Sequence, residues 1–135
     1  MLLMHADPAA TKAMTAAERA VIADKHGRLV PELTTSTEVL NGAGLAYPEQ
    51  TRTLRYRPDA EPAASDGPLV AGTEQLTAYY VVECESAGRA REIGALLLDF
   101  HVTAVEVRAV HDWFGMGDPP PGAPGHGDPG AAVTG

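Results

Sequence analysis

The run Leu76-Thr77-Ala78-Tyr79-Tyr80-Val81-Val82-Glu83-Cys84 constrains this chain more than any other feature. Its aromatic and β-branched centre favours a strand, and a stretch this continuously apolar needs cover on both faces. A tight turn, Asp66-Gly67-Pro68, comes shortly before it. Gly tolerates a positive φ and Pro fixes its own, so the Asp carboxylate there either bonds local amides or stands free on a rigid mount. At 135 residues the chain suffices for one domain with a proper core.

The other elements follow from local chemistry. Met1 to Met4 is a short apolar strand, ended by a loop at Asp7-Pro8. Thr15-Ala16-Ala17-Glu18 is a capping box, and Ile22, His26, Leu29 and Leu33 then share one helical face. Pro31 inside that pattern is expected to kink or shorten the helix, and the Thr34-Thr35-Ser36-Thr37 run to end it. Glu38 to Ala46 and Thr51 to Arg57 read as strands about a turn at Tyr47-Pro48, and Pro58 to Ser65 as a polar loop. Ser86 caps a second helix, Ala87 to about Asp99, with Ile93, Leu96 and Leu97 as its stripe. Val102 to Val110 is a half-exposed strand. The order β-α-β-β-α-β gives an α+β, ferredoxin-like antiparallel sheet with two helices on one face over residues 1–114. Its other face calls for a second copy, hence a homodimer. Residues 115–135, with seven Gly and five Pro, read as a disordered tail.

Charge and cysteine usage narrow the partners. A net charge of −8 argues against nucleic acid and against anionic lipid. No apolar run approaches the ~20 residues that span a bilayer, and Met1 opens into a strand without the flank of a signal peptide. Cys84 is alone, which excludes an internal disulfide and suggests a cytoplasmic setting.

With Ser65-Asp66-Gly67-Pro68-Leu69 and the strand after it, the chain resembles the YCII-related proteins, in their DGPF-domain branch. The likeness extends from Met1-Leu2-Leu3-Met4-His5, through the helix with Ala23-Asp24-Lys25-His26-Gly27, to Val105-Glu106-Val107-Arg108. It implies a dimeric α/β barrel. It also implies that a helix His and a loop Asp face one another in a pocket, and the matching positions are His26 and Asp66. Leu69 replaces the family's aromatic and keeps an apolar anchor there.

His26 lies on the apolar helix face, and imidazole is the side chain best suited to acid–base work near neutrality. Under the resemblance, Asp66 orients that ring. His5, with Asp7 two residues on, either lines the pocket mouth or contributes to a metal site, for which two ligands are too few. Arg52 belongs to a small basic cluster with Arg55 and Arg57, and is the candidate to receive an anionic substrate group; a solvated edge strand is the simpler account of the cluster. Tyr79 and Tyr80 face opposite ways; Tyr79 stands as the substrate-facing candidate, although alternation does not choose between them. Asn41-Gly42-Ala43-Gly44 lacks the Lys and helix of a phosphate loop, so no cofactor is expected. His101, His111 and His126 read as solvated. Two functions are consistent with these residues. One is a small cofactor-independent enzyme moving protons on an oxygenated organic molecule, by elimination, isomerisation or cyclisation. The other is a non-catalytic binding or interaction module, which the resemblance links to sigma-factor regulation.

Overall fold

The computed structural model describes residues 1–36 and 38–111. Along the chain come β1 (Leu2–Ala6), α1 (Pro8–Ala13), α2 (Ala16–Thr35), β2 (Val39–Gly44), a 3-10 turn (Pro48–Gln50) and β3 (Arg52–Arg55). They are followed by β4 (Ala63–Asp66), β5 (Gln75–Val82), α3 (Ala87–Leu97) and β6 (Ala104–Val107). The fold is a mixed α+β arrangement around a four-stranded antiparallel sheet in the order β2-β5-β1-β6. Strands β3 and β4 pair only with each other, as a separate two-stranded sheet.

Strict alternation in β1 decides which face is which. Leu2, Met4 and Ala6 are buried, whereas Leu3 and His5 are not. Leu2 pairs with Tyr80 and Val107, and Met4 with Ala78 and Val105, so these side chains share one face. Leu33 of α2, Ile93 and Leu97 of α3, and Val102 close over that face to form the core. Gly94 lets α3 approach closely, since a Cβ there would lie 3.1 Å from Val107 Cγ2. Leu3, His5 and Tyr79 turn to the opposite face.

The capping box is formed: Thr15 Oγ1 accepts from the Glu18 amide at 3.2 Å, and Glu18 Oε2 accepts from the Thr15 amide at 2.8 Å. Ser86 caps α3 by accepting from the Arg89 amide. Helix α2 is not shortened at Pro31 and continues to Thr35; the ring is exposed, and the carbonyl it frees belongs to exposed Gly27, which water can satisfy. Two expectations need correction. Asp7-Pro8 starts a helix rather than a loop, because the Asp7 carboxylate accepts from the Ala9 amide and Pro8 takes a first-turn position. The polar stretch before Ser65 contributes β4, which joins β3 in an arm outside the main sheet. The expected tail, 115–135, lies outside the described residues. Among the described residues no helix is long and apolar enough to cross a membrane.

Candidate functional site

Tyr80 reaches the site because its strand neighbour has no side chain. It stands on the helix-covered face of β5, opposite Gly42 of β2, and its ring lies over that glycine. A Cβ at position 42 would lie 2.7 Å from Tyr80 Cε1, inside any tolerable contact. From this seat the phenol oxygen is 3.2 Å from His26 Nδ1, with the rings tilted by 34°. His26 comes down from α2 on the face it shares with half-buried Leu29 and buried Leu33. Both rings line a cavity of about 520 Å³, otherwise walled mainly by Met4, Val30, Leu45, Ala78 and Val102. That volume is of the size that holds small organic ligands.

His101 lines the same cavity. Its loop is held by Asp99, whose Oδ1 accepts from the backbone amides of His101 at 2.8 Å and Val102 at 2.7 Å. The other carboxylate oxygen pairs with Lys25 Nζ at 2.9 Å, which clips the loop to α2 one residue before His26. His101 Nε2 lies 3.1 Å from Thr11 Oγ1, and the Thr11 hydroxyl donates to the Asp7 carbonyl. With its proton so used, Thr11 accepts from His101, so Nε2 carries a proton. Nδ1 is buried without a partner among the described residues.

Electrostatics favour neutral partners in the central pair. Burial lowers the His26 imidazole, and the Lys25 charge adds to this; Asp99 opposes and His101 reinforces the lowering. Burial raises the Tyr80 phenol. Burial alone would raise Asp99, but bonds from Lys25, Val102 and His101 outweigh it and hold the carboxyl below its usual value. Near neutrality the pair therefore comprises a protonated phenol and an uncharged imidazole. Either Tyr80 O–H donates to Nδ1, leaving Nε2–H as a donor, or Nδ1–H donates to Tyr80, leaving Nε2 as a base and the phenol proton for another acceptor. Two such tautomers let one pair give a proton and take another.

The expected His26–Asp66 pair is not formed. Asp66 closes β4 on the outer arm, its side chain is 84% exposed, and its near neighbour is Arg52 Nη2 at 3.4 Å. The turn after it is built as the sequence suggests: Gly67 has a φ of 90°, its amide donates to the Thr51 carbonyl, and Thr53 Oγ1 donates to its carbonyl. That turn serves the arm rather than the cavity. Arg52 and Leu69 are likewise exposed and do not line it. His5 faces the other side of the sheet, with Nε2 2.8 Å from Glu106 Oε1. Tyr79 shares that opposite face; the hydroxyl in the cavity is that of Tyr80. Among the described residues no cluster of three His, Cys, Asp or Glu could hold a metal.

Two site residues were not singled out by sequence. Tyr80 was one of two alternating choices, and only the register against Leu2 and Gly42 selects it. His101 carried one signal, an Asp two positions earlier able to fold the loop back as an Asx turn. Neither a family model nor a curated protein matches this chain.

Proposed function

We propose that this chain is a small, cofactor-independent acid–base enzyme that moves a proton on an oxygenated organic molecule, with His26 as base and Tyr80 as its hydroxyl partner. One observation carries the reading: the 3.2 Å contact between His26 Nδ1 and the Tyr80 hydroxyl in the wall of a largely apolar cavity. A substrate oxygen beside Tyr80 accepts the phenol proton while His26 removes a proton from an adjacent carbon, which is the common first step of isomerisation, elimination and ring closure. Apolar walls lower the local dielectric and so strengthen both interactions. The role first assigned to Asp66 passes to Tyr80.

The order β2-β5-β1-β6, with α2 and α3 contributing to the core on one face, supports a ferredoxin-like architecture and, through its other face, a homodimeric α/β barrel. A second functional reading draws on the exposure of Asp66: without a carboxylate behind His26, the cavity serves as a non-catalytic small-molecule receptor. Proton exchange separates the two. With 1-phenyl-1,3-butanedione in D2O as probe, the wild-type chain is expected to speed deuterium incorporation at the activated methylene, read by NMR. His26→Gln should remove the acceleration and Tyr80→Phe should reduce it by a factor on the order of 10². Equal exchange by wild type and His26→Gln would leave the receptor reading in its place.

A further inference from the structure

A second cavity, of about 380 Å³, adjoins the first. Leu45, Thr77 and His101 line both, so the two spaces are neighbours that share these three residues. Elsewhere the second cavity is walled by Pro8, Ala46, Tyr47 and Leu76, among others. Neither lining contains an Asp, Glu, Lys or Arg. The polar groups are amides, hydroxyls and imidazoles: Thr77 and the His26–Tyr80 pair on one side, Thr11, Gln50 and Gln75 on the other, and His101 shared by both. The Gln75 amide nitrogen is already committed to the Val70 and Gly72 carbonyls, each at 3.0 Å. Its carboxamide group is thereby held in place, with only the oxygen left to accept.

A ligand with a full charge would find no carboxylate, ammonium or guanidinium in either lining, and burying it unpaired is strongly disfavoured. The overall charge of −8 further opposes an anion. An aromatic or aliphatic body suits the far walls. Resting on the acid–base reading of the His26 site, we infer that the two cavities form one bipartite site for an elongated, uncharged substrate, with its oxygenated end at His26 and Tyr80 and its apolar body extending past His101 to Tyr47.

Calorimetric titration of the full chain with phenol, biphenyl-4-ol and biphenyl-4-carboxylate tests this. Biphenyl-4-ol should bind at least about tenfold more tightly than phenol, from burial of the second ring, and the carboxylate should bind more weakly than biphenyl-4-ol. Ala46→Trp, filling the far cavity from an exposed loop, should abolish the gain from the second ring while leaving phenol binding within about twofold. Gly44→Leu should weaken both alcohols, because a Cβ at Gly44 meets nothing and the side chain can occupy the near cavity. Amide shifts at Thr11 and Ala46 in the unaltered chain, with biphenyl-4-ol but not with phenol, report the same contact without a substitution. Equal binding of phenol and biphenyl-4-ol, an undiminished gain in folded Ala46→Trp, or preference for the carboxylate would each overturn the bipartite site. These readouts need no turnover. Length-dependent binding without His26-dependent exchange would therefore remove the catalytic reading alone and retain the bipartite cavity.

Discussion

At the scale of single residues, His26 depends on what surrounds its ring. Its pKa lies below the ordinary 6.5 because burial and Lys25 outweigh the attraction of Asp99. The imidazole should therefore titrate below 6.5 when followed by NMR, and a midpoint at or above that value would contradict the neutral pair. The sign for stability follows. Below 6.5 the unfolded chain binds a proton that the folded chain resists, so stability should fall as pH drops through this window and be indifferent to His26 above it. His26→Gln should flatten that part of a pH-dependent melting curve. His26 was legible in the sequence because it keeps step with Ile22, Leu29 and Leu33 on one helical face. Tyr80 was half legible, since alternation separates it from Tyr79 but only cross-strand register says which one faces the helices. Asp66 misled because a rigid turn fixes a carboxylate locally and says nothing of where its arm points; here Arg52 stands across from it.

At the scale of elements, two contacts hold the cavity wall in position. Gly42 in β2 accommodates the Tyr80 ring, and Gly42→Ala forces a methyl into that ring. Overpacking of this kind should cost about 1–3 kcal/mol, measured by denaturant unfolding, and should also displace the phenol from His26. A cost near zero with an unchanged His26 titration would mean that the ring is not seated there. The second contact joins the start of β2 to α3: Glu38 accepts from Arg89 Nε at 2.7 Å and from Arg89 Nη2 at 3.0 Å. Arg89, with help from Ser36, draws the Glu38 carboxyl down to about 2 from an ordinary 4.5. Its stabilisation is present above 4.5 and is lost as pH falls towards 2, so Arg89→Met should remove that portion of the acid transition and leave the His26 portion intact. The elements that were legible carried their own punctuation, such as the capping box at Thr15–Glu18 and the cap at Ser86. Those that were not depended on other parts of the chain. Strand β4 exists by pairing with β3, and α2 passes Pro31 because tertiary packing of Leu33 outweighs one lost backbone bond.

At the scale of the whole molecule, the two faces of the sheet differ. Helices α2 and α3 bury Leu2 and Met4, whereas Leu3 and Tyr79 on the other face remain only half-buried, beside the His5–Glu106 pair. The proposed barrel would bring a second copy onto this face, so light scattering should give a mass near twice 14.1 kDa. Tyr79→Glu places a carboxylate at the centre of that face, where a two-fold axis would set it near its own copy and near Glu106. Removing those charges from water without a cation is costly, so this variant should scatter as a monomer while its far-UV circular dichroism is unchanged. The cavity, by contrast, is built from α2, β1, β2, β5 and the His101 loop of one copy. If assembly and chemistry are separate in this way, monomeric Tyr79→Glu should keep the lowered His26 titration. A wild-type chain that remains monomeric at micromolar concentration would end the barrel proposal without touching the site. A monomeric variant whose His26 titrates at 6.5 or above would instead tie the site to the interface.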